Sequence, residues 1–333
     1  MTTYGDISPA VAASSSVMML KRAHPLLIIQ QFGQAVPLQK GQTETKLFRR
    51  YEALSTVENT PLTEGVTPSG SALTKTDYTA TLLQYGDYIE FTDKMEDMHT
   101  DPYLQEFSDM CGKQAAQTIE KVAFGVVKAG TSVYRANGSA RTDINTPLTI
   151  GLQRKAVRSL KRQNAMPITQ LVKHTTDYGT EAVPPCFVAL VHVDLETTVR
   201  GLPNFKDVVD YAGGKSFPGE IGSCEGVRYV ASTVITAWAD AGGAYAGSGT
   251  AMISTTGTSA DVYPVIYLGA DAFGCVSLKG ANAITPSVLR PNTPRGGDPI
   301  GQRGTIGWKT YFVAVILNQA WMVRVEVAVP ELA

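Results

Sequence analysis

Gly214-Lys215-Ser216 has the ending of a phosphate-cradling loop, in which backbone N–H groups and a lysine meet the phosphates. That loop also needs a glycine five positions before Gly214, where Val209 stands, and no strand leads into it. A plain loop accounts for the three residues better. The histidines His24, His99, His174 and His192 are scattered, and none has a histidine or cysteine partner at ligand spacing. No protein metal site and no cofactor are therefore expected. His192 alternates with Val191 and Val193, the pattern of a structural histidine in a strand. Gly-x-Ser-x-Gly is absent, and Gly247-Ser248-Gly249 falls in a small-residue excursion rather than at a strand-to-helix elbow. Glu90, Asp93, Glu96 and Asp97 read as a solvated strand-to-helix connection, with no cleft announced for carboxylate catalysis. Nothing assembles a catalytic set, so no enzyme is expected.

Charge is the next chemistry to place. Arg154, Lys155, Arg158, Lys161 and Arg162 fall on or near one side of a short helical pattern, without interleaved aromatics. A solvated or inter-subunit ion-pairing face fits them better than a phosphate-contacting one. Lys46, Arg49 and Arg50 suit an acidic patch on a neighbour, or water. The chain has 333 residues, with Lys+Arg 29 against Asp+Glu 30 and a formal charge of -1. That balance excludes a generic basic nucleic-acid binder and an acidic disordered tail. The charged fraction, 18%, is below the roughly 25% usual for soluble domains. Either the surface is sparing of charge or much of it is covered by other subunits, because interface cores are depleted of charge. Cys111, Cys186, Cys224 and Cys275 form no Cys-x-x-Cys pair and read as reduced, mostly buried thiols of a cytosolic folding environment. The N-terminal segment has no basic n-region ahead of an apolar run, and Tyr311–Leu317 is too short to span a membrane.

The elements that must carry these residues are legible from periodicity. Residues 1–40 read as an arm: Val17-Met18-Met19-Leu20 suits a short amphipathic helix, which Pro25 ends or kinks. Residues 44–92 read as a long β-hairpin. Its outgoing strand places Thr45, Leu47, Arg49 and Tyr51 on one face and Lys46, Phe48, Arg50 and Glu52 on the other. The return strand runs from Thr76 to Thr92, with a bend or bulge at Gly86-Asp87, and the tip between is rich in turn formers. A long two-stranded hairpin with few core partners of its own suggests one that lies on another subunit. Residues 101–129 form a long helix with Asp101 as N-cap, Pro102 at the first helical position and Gly130 as terminator. Leu104, Phe107, Cys111, Ala115, Ile119, Val122 and Val126 make its apolar stripe. Residues 146–299 read as a separate α+β body: the basic helix from Leu148 to Gln163, strands at Cys186–Val193, Val227–Ser232, Val262–Leu268 and Cys275–Leu278, and a Gly/Ala/Ser/Thr-rich excursion at Ala239–Ala260. The linker Pro291–Gly304 leads to two late strands, Thr305–Val315 and Ala320–Val329.

The order of arm, long hairpin, very long helix, inserted body and returning strands resembles the major capsid protein of tailed double-stranded DNA phages, with the Hong Kong 97-like fold. The motifs Tyr4-Gly-Asp-Ile-Ser-Pro9, Phe48-Arg-Arg-Tyr51, Pro61-Leu-Thr-Glu-Gly-Val-Thr-Pro68 and Gln84-Tyr-Gly-Asp87 are similar to a sub-family typified by short-tailed coliphages. Gly219-Glu-Ile-Gly222, Gly226-Val-Arg-Tyr-Val230, Gly301-Gln-Arg-Gly-Thr-Ile-Gly-Trp-Lys309 and Ala320-Trp-Met-Val-Arg324 extend the likeness over nearly the whole chain. It is weakest over 168–185 and 239–260.

The resemblance implies an α+β fold in five parts: N-arm 1–40, E-loop hairpin 41–90, peripheral domain 91–145 with the spine helix, axial domain 146–299, and peripheral return strands 300–333. It implies self-assembly into pentamers and hexamers of an icosahedral shell that encloses double-stranded DNA without sequence-specific binding. A separate scaffolding protein and a portal are the implied assembly partners, since Tyr4–Pro9 already belongs to the likeness and no charged helical prefix precedes it; a cement protein is left open. Assembly is expected in the host cytoplasm and residence in the virion. Inter-subunit contact is expected at Lys46, Arg49, Arg50, Glu64, Lys75, Arg154 and Arg158, and hinging at Gly86, Gly130 and Gly304, because one chain must fill both five- and six-membered rings. Lys75 has no motif for a lysine–asparagine crosslink around it. The alternatives are an encapsulin-like nanocompartment shell, which shares the fold, and a soluble enzyme with a cleft at Lys215 or His192.

Overall fold

The computed structural model describes residues 27–39, 41, 43–52, 54, 62–67, 70–98, 103–172, 180–211, 216–244, 252–279, 284–292, 294 and 296–332. In chain order the elements are β1 (Gln34–Ala35), β2 (Leu38–Gln39), β3 (Thr45–Tyr51), β4 (Lys75–Thr81), β5 (Leu83–Thr92), α1 (Asp93–Met98), α2 (Tyr103–Lys128), β6 (Val133–Arg135), α3 (Ile150–Arg162), β7 (Ile168–Val172), β8 (Thr180–Val191), α4 (Glu196–Arg200), β9 (Lys206–Asp207), β10 (Glu220–Cys224), β11 (Val227–Ala231), β12 (Tyr263–Leu268), β13 (Phe273–Lys279), β14 (Thr285–Leu289), β15 (Arg303–Ile316) and β16 (Met322–Val327). The arm up to residue 26, the Asp101-Pro102 cap, Gly214-Lys215 and Gly247–Gly249 lie outside the described residues.

Two sheets organise the body. An eight-stranded sheet runs β6-β16-β12-β8-β11-β10-β9, with β7 also paired to β8. Its centre is β12, whose run Tyr263-Pro-Val-Ile-Tyr-Leu268 is buried at every position, as a strand covered on both faces must be. On one face α3 seats Ala156 and Leu160 against Tyr229, Tyr267, Val323 and Val325. On the other, α2 packs Ala123, Phe124 and Val127 into a cluster with Val188, Leu190, Ile266 and Leu268. The six-stranded sheet runs β1-β13-β15-β14, with β2 on β13 and β5 on β15. It shares the α2 cluster through Ile306, Trp308 and Phe312. The 26 residues of α2 make a rod of roughly 39 Å at 1.5 Å per residue, long enough to serve both sheets.

Strand pairing departs from the sequence reading in three places. The return strand expected from Thr76 to Thr92 is two strands divided at Leu82: β4 stays with β3, while β5 leaves and pairs with β15 from Leu83↔Phe312 to Thr92↔Arg303. Gly86 neither bends nor bulges that ladder; it pairs with Lys309, and a Cβ there would lie 2.7 Å from the Trp308 carbonyl oxygen. The free hairpin is therefore only β3–β4, seven paired residues or about 23 Å. Its root also has partners in its own chain, since Phe48 and Ala80 are buried with Leu38, Val276 and Leu317. Finally, strands cross the border expected at 299/300. β13 and β14 pair with β15 in the six-stranded sheet, whereas β16 and the early β6 join the eight-stranded one. Neither sheet is built from one continuous stretch, because each late strand completes an early surface that would otherwise leave its backbone groups unpaired.

Smaller differences have local causes. The basic helix begins at Ile150 because the Thr149 side chain accepts from Leu152 N and caps it. The strand expected to Val193 ends at Val191; His192 is an N-cap whose Nδ1 accepts from Asp194 N at 3.1 Å, opening a 3-10 turn.

Candidate functional site

Two surfaces carry most of the residues singled out by sequence. The first is the β3–β4 hairpin. Period-two alternation turns Phe48 inward, so the opposite face leaves Leu47 48% and Tyr51 55% exposed. Toward the tip Leu62 is 78% and Leu73 62% exposed, and Leu54 and Val66 are also exposed. Large apolar side chains are thus left in water on β3 and in the connection to β4, and exposed apolar patches are where proteins commonly meet partners. Among the described residues β3 pairs only with β4, so both outer edges are open. Cations line the same element. Arg49 Nε lies 3.0 Å from Asp77 Oδ1 and Lys75 Nζ 3.7 Å from Asp77 Oδ2, and the Arg49 hydrogen bond holds the Asp77 carboxyl below its usual range. Arg50 Nη1 donates to Leu317 O at 3.5 Å, tying the hairpin root to the body. Lys46 is half-buried and Glu64 is exposed beside Gly65, whose φ of 78° makes the turn.

The second surface is α3. Arg154 holds Glu225 with two bonds, 2.8 and 2.5 Å, and Lys155 sits 4.6 Å from the Tyr134 ring centre. Arg158, Lys161 and Arg162 are exposed. The hairpin cations and the α3 cations thus lie on different sheets and do not converge on one site.

The three glycines named from sequence all sit at close contacts. A Cβ on Gly130 would meet Met322 Cε at 2.6 Å, at the end of α2 where the chain turns into the eight-stranded sheet. Gly304 is paired with Phe91, whose ring a Cβ would reach. Gly86 lies in the same ladder.

Two buried charges escaped the sequence reading. Glu120 is fully buried on α2, and its carboxylate accepts Ile29 N at 3.1 and 3.0 Å, which fixes the 3-10 turn Ile29–Phe32 to the long helix. Burial pushes its carboxyl up to about 7, while the backbone donors at Ile29, Gln30 and Ile28 pull it down. Its position between Ile119 and Ala123, inside the apolar stripe, was the available signal. Glu326, also fully buried, interrupts the apolar run of β16; Arg141 Nη2 lies 2.7 Å away, Arg324 Nε 3.1 Å and Arg135 Nε 3.7 Å. Arg141 and Lys128 stack on Trp238 at 3.8 and 4.0 Å. Burial, then Arg141 and Arg324, lower the Lys128 pKa. This knot joins α2, β6 and β16 and is structural.

Among the described residues no group of three or more His, Cys, Asp or Glu is placed to hold a metal ion. Cys111, Cys186, Cys224 and Cys275 are free and buried, and burial pushes the Cys186 thiol up to about 11, away from the thiolate a nucleophile needs. No helix among the described residues is long and apolar enough to cross a membrane.

No curated protein matches the chain. Its fold is that of solved phage capsids. The capsid of Ralstonia phage GP4 superposes with a TM-score of 0.64 at 9% identity, covering 89% of this chain and 87% of that one. The capsid asymmetric unit of cyanophage Pam1 gives 0.60 at 14% identity, covering 92% of each. The head structure of Helicobacter pylori bacteriophage KHP40 gives 0.60 at 9% identity, covering 92% and 89%. These likenesses establish the mixed α+β, Hong Kong 97-like architecture. Residues 76–325 match the family described as phage capsid protein. With well over half of the sequence inside that match, the chain belongs to the phage capsid protein family and is a major capsid shell protein.

Proposed function

We propose that the chain builds its shell as pentamers and hexamers that enclose double-stranded DNA, each copy laying its β3–β4 hairpin over a neighbour, while the end of the expected arm, Ile29–Gln39, stays on its own body through Glu120 and β13. The observation that carries this reading is the exposure of Leu47 and Tyr51 on β3 and of Leu54, Leu62, Val66 and Leu73 in the connection between β3 and β4, with the two strands paired only to each other among the described residues. Such a ribbon is marginal in water, and covering it is worth roughly 25 cal/mol per Å² of apolar area. Once one edge docks, the next contact around a closed ring is effectively intramolecular, so modest contacts reinforce each other. Rotational rings use head-to-tail contacts. Lys46, Arg49, Arg50, Glu64 and Lys75 would flank the hairpin contact, and Arg154 and Arg158 would serve a separate one.

Filling five- and six-membered rings with one chain needs a pivot. Gly130 is the best placed, between α2 and the eight-stranded sheet; Gly86 and Gly304 sit inside the β5–β15 ladder, where they would flex only with the ladder. The ordered motifs from Tyr4–Pro9 to Ala320–Arg324 favour the sub-family typified by short-tailed coliphages. A separate scaffolding protein, a portal and assembly in the host cytoplasm go with that reading, and the near-neutral charge suits a wall that encloses DNA without gripping it.

Replacing residues 54–74 by a short turn tests the proposal. The shortened protein should keep the circular dichroism of the parent and sediment as subunits, with no shells in negative-stain images. Shells formed at parental yield would refute the hairpin's role, and particles from infected cells that hold protein cargo in place of DNA would favour the nanocompartment reading.

A further inference from the structure

Two runs of opposite charge sit on different sheets of one copy. Residues 154–162 contain Arg154, Lys155, Arg158, Lys161 and Arg162 and no acid. All five are exposed. Arg154, Arg158, Lys161 and Arg162 line an open trough of about 500 Å³ along α3, with Glu225 of the β10–β11 turn as its one carboxylate. Arg154 takes that carboxylate. Arg158, Lys161 and Arg162 are left without an ion pair among the described residues. The acidic counterpart is at the other sheet. Asp93, Glu96 and Asp97 lie on α1, which packs against β5, and Glu106 and Asp109 lie in the first turns of α2. Lys94 is the only lysine or arginine among these described residues, and Asp97 and Glu106 are exposed. Arg290 reaches Glu96 at 3.8 Å; among the described residues no ion pair joins the acidic run to α3.

Helix dipoles favour acids at the start of α2 and bases at the end of α3. That explains the sign at each end, but not a trough with four cations around one carboxylate. A solvated cation face needs no trough either, and like charges gathered on one face repel each other unless an opposite charge answers them. Nucleic acid is the weaker occupant, because the face carries no interleaved aromatics and the chain is close to neutral. We propose that in the shell the α3 trough of one copy receives the acidic surface of α1 and the start of α2 from an adjacent copy. The contact is head-to-tail, repeats around a ring, and rests on the self-assembly reading above. It also supplies specificity: a slipped ring would set like charges against each other.

Charge reversal tests it. R158E/K161E should lower shell yield about tenfold at an ionic strength of about 0.15 M, and D97K/E106K should do the same. The quadruple variant, with both signs exchanged, should return to near the parental yield. Circular dichroism of each unassembled protein reports folding, and rescue in the quadruple variant shows that neither double variant fails through misfolding. The proposal is overturned if R158E/K161E assembles like the parent, or if the quadruple variant does no better than the worse double. Normal shells of R158E/K161E that lose their nucleic acid would assign the trough to phosphates and overturn it as well. A parent that builds no shells even when the other head proteins of its phage are supplied would bring down the self-assembly reading itself, and is told apart because no variant is needed to see it.

Discussion

The eight-stranded sheet and the β3–β4 hairpin come from one chain and share the alternation of strands, yet they end in opposite states. In the sheet, β12 is buried at every position and its neighbours β8 and β16 cover both of its edges. In the hairpin, only Phe48 and Ala80 are buried, and the outer edges pair with nothing among the described residues. The difference lies in how many elements answer each face. Two helices and seven partner strands close the sheet, whereas the hairpin has a root of five residues. One region is complete in a single copy; the other presents apolar surface that only a second molecule can remove from water.

The contrast can be broken by mutation. The largest effect on the unassembled subunit is expected at Ile266→Ala, fully buried in β12, which should cost about 2–5 kcal/mol in urea unfolding; a loss well below that would mean the sheet is less closed than described. Next comes Glu120→Gln. The Glu120 carboxyl titrates near 7 in the folded chain and near 4.3 when unfolded. The folded state therefore holds the proton more tightly, and stability is fully present below about 4.3 and is lost as pH rises through about 7. The parent should melt lower at pH 8 than at pH 5, by an amount on the order of 3 kcal/mol, and Glu120→Gln should flatten that slope. An unchanged slope would remove Glu120 as its source. Asp77→Asn, which breaks an exposed pair with Arg49, should scarcely move the melting temperature. Leu62→Ser with Leu73→Ser should leave subunit unfolding within about 0.5 kcal/mol yet abolish shells in sedimentation. Intact shells from that pair would erase the distinction between the two regions.

Periodicity made the elements legible and left their partners obscure. The stripe from Leu104 to Val126 announced α2, and Val262–Leu268 announced a strand, because burial on known faces leaves a local pattern. Leu82 as the break between β4 and β5 had no such signature: both strands alternate, and only the distant Arg303–Phe312 decides which of them leaves the hairpin. The pairing of β13 and β14 with β15 across 299/300 was obscure for the same reason, since those strands look alike whichever sheet receives them. Arg154 and Arg158 were visible as a cation run, but their free face became apparent only once Glu225 and the trough were placed. Glu120 stayed hidden because an acid next to the stripe residue Ile119 carries no local sign of whether its carboxylate faces water or a distant backbone N–H such as that of Ile29.

Strands β15 and β16 lie late in the chain, yet each is central: β15 carries β5 along one edge and β14 then β13 along the other, and β16 sits between β6 and β12. While the polypeptide is being made, β5, β6 and β12 must therefore wait with unpaired edges until residues 303–327 emerge. Neither sheet can close before then, so the core of a half-synthesised copy stays open even though its β3–β4 hairpin has already been made.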